Sequence, residues 1–330
     1  VTDSSARPAA HAVPGTALPS GNVPRKVRSI FIVNLVVEIG IIVTGGLVRL
    51  TKSGLGCPTW PQCVPGSFVP TGDQAEGIHK VIEFGNRTLS FVVAAAAIAL
   101  LWAVYKKIPH RRALRLPAWG VLGGILFQAV LGGITVRMAL NPVTVSLHFL
   151  ASAFLVALST YLLVRLDEGD GPARALAPPI VMHLSKATAA LFAVVLVLGT
   201  IVTGAGPHSG DADMPVRYGL DLRVVSWLHA DSVMVFVGLV VALWIACHLV
   251  EGAQKGAHAW RVVFFLSVTQ GALGFVQYAL GLYEVLVLAH MLLASLLVAT
   301  ITWATLSLRH REVVPTTSAG AVVQDEADRH

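Results

Sequence analysis

Charge is scarce in this chain: Asp, Glu, Lys and Arg make up 13% of 330 residues, against 55% hydrophobic residues and a mean hydropathy of +0.72. So little charge excludes a water-soluble surface and leaves a membrane composition. Cysteine is nearly absent. Of the three, Cys57 and Cys63 have no further Cys or suitable His nearby, which excludes a thiolate metal site, and Cys247 reads as a small apolar filler. Ten-residue alternating segments are missing, which excludes a transmembrane barrel. Paired Gly/Pro interruptions at mid-span are missing too, so the broken helices of a secondary transporter are not expected.

What is present is a series of long apolar runs. About 20 apolar residues as helix span roughly 30 Å of hydrocarbon. Eight runs qualify, at 29–50, 79–105, 117–138, 144–166, 180–204, 226–250, 260–281 and 284–308. With no water to satisfy backbone groups, all eight are predicted to be helices. The first run lacks a small-residue cleavage pattern and is echoed later, so it is expected to be a true span rather than a signal. Lys and Arg collect on one side: Arg25, Lys26 and Arg28 before the first run, Lys106, Lys107, Arg111, Arg112 and Arg115 in the second loop, Arg309 and Arg311 after the last. Both termini are therefore expected in the cytoplasm, in a bacterial plasma membrane. The net charge of +6 follows from this asymmetry and from attraction to membrane lipid, so no nucleic-acid partner is implied.

The fold class expected is an all-α integral membrane protein whose eight helices form two pseudo-symmetric four-helix bundles. GIIVTG at 40–45 is echoed by GTIVTG at 199–204. Gln128, Leu131, Gly132 and His148 recur as Gln270, Leu273, Gly274 and His290 at a constant offset of 142. An even number of spans per half makes the repeats parallel. The expected organisation is a disordered tail at 1–28, an N-terminal bundle at 29–166, a linker at 167–179, a C-terminal bundle at 180–310 and a second tail at 311–330.

Four histidines carry the chemistry. His79, His148, His229 and His290 each lie a few residues inside the outer end of an even-numbered span. An imidazole in hydrocarbon is costly without a partner. Repetition at one depth in a duplicated frame points to two pairs of axial haem ligands, His79 with His148 and His229 with His290, in bundle cores. His208, in the loop after span 5, is expected to be solvated. Beside His79, the three- and four-residue steps of Glu76, His79, Glu83 and Arg87 place them on one helix face, with Glu83 and Arg87 at ion-pair spacing. Glu76 is placed to act as acid, base or electrostatic stabiliser. Val225 to Leu228, before His229, hold nothing equivalent, which puts chemistry in the N-terminal half and electron transfer in the other. Cys57 and Cys63 face an oxidising compartment and are expected to form a structural disulfide or a thiol-exchange pair.

GGLVRLTKSGLGCPTWPQC, then EGIHK, SLHFL, WLHAD and LAHML, in this order across residues 29–308, resemble the haem A synthases, in particular those of actinobacteria. The resemblance implies a membrane oxidoreductase that converts haem O to haem A, oxidising the C8 methyl to a formyl group for cytochrome c oxidase. It implies haem b on His229 and His290, the substrate haem O on His79 and His148, a catalytic carboxylate at Glu76, and redox exchange or regulation at the Cys pair. Haem O synthase, the cytochrome c oxidase assembly machinery and an unidentified electron acceptor are the partners implied. Successive hydroxylation of one methyl to a geminal diol, which loses water, is the expected route. Arg49, Arg137, Arg217 and Arg223 are candidate contacts for haem propionates. Some relatives carry a second Cys pair between spans 5 and 6, and GPHSGDADMPVRYGLDLR has none. The rival reading is a di-haem electron-transfer protein of the cytochrome b561 sort, which leaves Glu76 unused. A prenyl transferase is excluded by the lack of Asp-rich diphosphate motifs.

Overall fold

The computed structural model describes residues 23–72, 74–211 and 215–311. The predicted tails lie almost wholly outside these residues. Eight long apolar helices are present: α1 Arg25–Leu50, α2 Ile78–Trp102, α3 Arg115–Arg137, α4 Pro142–Asp167, α5 Pro179–Ala205, α6 Leu222–Leu249, α7 Gln254–Ala279 and α8 Glu284–Leu306. Each is long enough to cross a bilayer. Large side chains such as Phe91, Phe154, Met234, Phe275 and Leu249 stand exposed on them. Such a surface is tolerable only against lipid. The chain is a multi-pass membrane protein.

Helices α1 to α4 pack in a ring, α1 on α2, α2 on α3, α3 on α4 and α4 on α1. Helices α5 to α8 close a second ring in the same order, and α1 and α4 meet α8 between them. The short α3–α4 and α7–α8 turns are built alike. Ala139 and Leu140 take φ of 48° and 57°, and Gly281 and Leu282 take 71° and 64°. Leu140 N–H donates to Thr135 O and Leu282 N–H to Gln277 O.

Several boundaries differ from the sequence expectation, with α6 beginning at Leu222 rather than 226 and α7 at Gln254 rather than 260. Residues 25–28, expected in the tail, are helical, because Lys and Arg are strong helix formers and Arg28 reaches an ion pair with Asp167. After Trp102 the second span widens into a π-helical turn, Ala103–Lys107, in which Ile108 N–H bonds back to Ala103 O. The expected linker is also more than a connection. Its β1, Ala173–Ala175, pairs antiparallel with β2, Arg309–Arg311, just past α8. Glu168 receives Arg165, Arg309 and Arg311 beside this strap. The end of the molecule that holds it, with both described chain ends, is called the terminal face below; the Cys57–Cys63 loop marks the opposite face.

Candidate functional site

Helix α1 ends in a left-handed turn. Lys52 has φ 57° and Ser53 N–H donates back to Val48 O at 2.8 Å, a helix-stopping pattern that usually recruits Gly. The turn delivers Ser53, fully buried, to His79, with Oγ 2.8 Å from Nδ1. Gly56 follows, packed so closely on α2 that a Cβ there would stand 2.3 Å from His79 O.

The Cys loop is clamped on the same helix. Cys57 and Cys63 form a disulfide with both residues fully buried. Cys57 N–H donates to Glu83 Oε2 at 2.6 Å. Arg87 pairs with Glu83 and donates to the carbonyls of Cys57 (2.7 Å), Thr59 (3.0 Å) and Gln62 (3.3 Å). The Glu83–Arg87 spacing thus serves as a structural clamp. Trp60, held through its carbonyl by Arg137 at 3.0 Å, lies on Gly133 of α3, where a Cβ would stand 2.3 Å from the indole.

Glu76 departs from its expected place. Helix α2 begins at Ile78, and Gly77, with φ 54°, breaks the helical path before it. Glu76 therefore stands in the turn preceding the helix, half-buried, with Gln74 Nε2 3.5 Å from Oε2 and its carbonyl receiving His79 N–H at 3.0 Å. It remains next to His79 and within electrostatic reach of Glu83.

The other three histidines share a different setting. His148 and His290 are the seventh residues of α4 and α8, and His229 the eighth of α6, roughly 10 Å inside their helices; His79 is only the second residue of α2. Three of the four thus stand at a common distance from the start of their helices. Each of the three rings lies edge-on against a glycine of a neighbouring helix. A Cβ on Gly132, Gly199 or Gly274 would stand 3.3, 3.3 and 3.4 Å from Cε1 of His148, His229 and His290. Gln128 and Gln270 donate to the backbone carbonyls of His148 (2.9 Å) and His290 (3.0 Å). His229 and His290 lie within electrostatic reach of each other. No hydrogen bond joins His79 to His148 among the described residues.

A haem axial site needs an imidazole with one nitrogen unengaged and a fixed ring plane. In His148 and His290 the Nδ1 is buried without a partner, the His229 ring has the Val195 backbone within hydrogen-bonding reach, and Nε2 of all three makes no hydrogen bond to the described residues. Glycine fixes the ring plane. In His79 it is Nδ1 that Ser53 engages, which leaves Nε2 for a ligand. These four rings fit haem ligation. No group of three or more His, Cys, Asp or Glu converges as a direct metal cage among the described residues. A cavity of about 180 Å³ at the terminal face, lined by Trp244, His248, Gln254, Ala257, His258 and Arg261, includes none of them.

The arginines proposed for propionates are partly committed. Arg49 donates to His208 O at 2.5 Å and Thr203 O at 3.0 Å, tying α1 to the loop after α5. Arg217 donates to Pro207 O at 3.0 Å, and Arg223 is exposed on the first turn of α6. His208, expected to be solvated, is half-buried with Nε2 2.8 Å from Leu282 O, because it links two loops of the same face. Sequence reasoning missed Ser53 and Gly199. The first sits in a loop without periodicity; the second was visible only as the opening glycine of GTIVTG.

The fold and its histidines define a multi-pass membrane protein with sites suited to haem. Residues 28–218 match the COX15-CtaA family, described as cytochrome oxidase assembly protein, and the chain belongs to that family. It is similar to the haem A synthase of Halalkalibacterium halodurans, 27% identical over 87% of this chain and 99% of the relative. The haem A synthase of Lysinibacillus sphaericus is 26% identical over 78% and 87%. That of Alkalihalophilus pseudofirmus is 32% identical over 45% of this chain and 50% of its own.

Proposed function

We propose that this protein is a haem A synthase, oxidising the C8 methyl of haem O to a formyl group and supplying haem A to cytochrome c oxidase. The observation that carries the reading is the set of imidazoles held by glycine or by Ser53, each with Nε2 left open, in a chain similar over 87% of its length to a haem A synthase. In this reading residues 29–166 and 180–310 are two bundles joined by 167–179, supported by the two closed rings and the matching turns. His229 and His290 hold a resident haem b, supported by their proximity. When bound, that haem supplies one-electron chemistry.

His79 and His148 hold haem O as substrate. The chain's tasks there are to fix the macrocycle, to keep water from the reacting carbon and to manage a proton beside it. Ser53 fixes the His79 ring, Gly132 the His148 ring. Glu76, half-buried one turn from His79, is the group placed to take and return protons at the methyl carbon's substituents. The excess of Lys and Arg on the terminal face supports cytoplasmic termini and an extracytoplasmic pair of sites in the bacterial plasma membrane. The disulfide agrees with that orientation.

Pigment extraction from protein produced alongside a haem O supply tests this. Haem A appearing with haem B is expected. Haem B alone would replace the reading with a di-haem electron carrier.

A further inference from the structure

Midway along α1 stands a carboxyl group that none of this chemistry uses. Glu38 is 3% exposed and lies roughly 18 Å from either end of its helix, close to the membrane midplane. Ser159 Oγ of α4 donates to its Oε2 at 2.9 Å. Asn34, one turn earlier and fully buried, places Nδ2 3.2 Å from Oε1 and 2.9 Å from Ser159 Oγ. Helices α2, α4 and α8, all packed on α1, carry their charged and titratable groups toward their ends: His79, Lys80, Glu83 and Arg87; His148, Arg165 and Asp167; Glu284 and His290. Lys106 and Lys107 follow α2 at the terminal face. None of them bonds Glu38, and among the described residues its polar partners are Asn34 and Ser159. A bare carboxylate with two neutral donors in hydrocarbon is expensive.

A second observation concerns hydrogen. Asn34 Oδ1 is enclosed and has no donor. The cluster owns three polar hydrogens, two on the amide and one on the hydroxyl, so it is short of donors. As placed, the Asn34 amide spends its hydrogens on Glu38 Oε1 and Ser159 Oγ, so a proton carried on Oε2 has Ser159 Oγ, 2.9 Å away, as its acceptor.

We propose that Glu38, Asn34 and Ser159 form an intramembrane proton-binding site between α1 and α4, in which Glu38 carries the proton as a neutral acid and donates it to Ser159 Oγ. Ser159 lies on the helix that bears His148, three turns away, so the proton also fixes the seating of that helix on α1. Loss of the proton leaves an unpaired charge whose relief requires water or separation of the two helices. This site stands on its own geometry and does not depend on the haem reading.

Infrared spectra of the full chain in lipid nanodiscs test it. The wild type is expected to show at neutral pH the carbonyl stretch of a protonated carboxylic acid that is absent from Glu38→Gln. Absence of that difference at neutral pH overturns the proposal, because Glu38 is then ionised. Should Glu38→Gln fail to fold, Ser159→Ala carries the test. Its band is expected at higher wavenumber for want of one hydrogen bond, and an unshifted band overturns the cage. Haem content is read on the same samples, so failure here is separable from failure of the enzymatic reading.

Discussion

Replacing Arg87 with Ala should expose the Cys57–Cys63 bond to reductant. In the native protein both cysteines are fully buried, and the loop is held down by Arg87 through Glu83 and three carbonyls. Removing the guanidinium strands the Glu83 carboxylate, whose side chain is 6% exposed, with Cys57 N–H as its only remaining donor. Breaking a buried pair from one side costs about 3–5 kcal/mol. Arg87 is itself 22% exposed, so the lower end applies. The loss falls on the local opening of the loop, because the eight helices do not depend on it. At 1.4 kcal/mol per tenfold, about 3 kcal/mol raises the opened population roughly a hundredfold. Under a weak reductant that closes slowly on the opened loop, trapping of free thiols by a maleimide should accelerate by the same factor. The double variant Glu83→Gln, Arg87→Met removes both charges and should recover much of the protection. An Arg87→Ala protein reduced at the wild-type rate would refute the clamp.

Three further outcomes follow from the site. Glu76→Gln should retain the low-spin haem b spectrum and lose haem A in pigment extracts; normal haem A would remove Glu76 from the chemistry. Gly199→Val brings two methyl groups onto the His229 ring, which already stands 3.3 Å from a bare Cβ, and overpacking of this kind costs about 1–3 kcal/mol. The haem b content of that variant should fall several-fold, and full occupancy would show that the ring plane is not set by glycine. Gly56→Ala sets a methyl 2.3 Å from a backbone oxygen that cannot rotate away, so it should lift the Cys loop from α2. Haem A formation should drop while the haem b spectrum stays; equal loss of both would place the damage in the fold as a whole.

The eight spans were legible because lipid leaves the backbone no choice but to bond within itself, and a run of apolar residues declares this without any tertiary knowledge. Their ends were less legible. Residues 25–28 look polar enough for a tail, yet Arg28 continues the helix to meet Asp167, a partner 139 residues away. At the site, the offset of 142 exposed Gly132 with His148 and Gly274 with His290, since ring and glycine lie in the same half-repeat. Ser53 was not legible. Its approach to His79 depends on Lys52 adopting φ 57°, a conformation that a lysine does not announce. Glu76 was found as a residue and misplaced as geometry, because three-residue spacing implies a shared face only where the helix is continuous, and Gly77 interrupts it. The strap of β1 and β2 was invisible, being three residues long on each side.

That strap has a bearing on how the gene could be divided. The segment joining the fourth and fifth spans is zipped to the stretch that follows the eighth, so a chain severed just past Leu176 would leave two four-span fragments still sharing a strand pair at one membrane surface. At the other surface, Arg49 gripping Thr203 and His208 offers a second point of attachment. Co-expressed fragments should therefore find each other without a covalent tether.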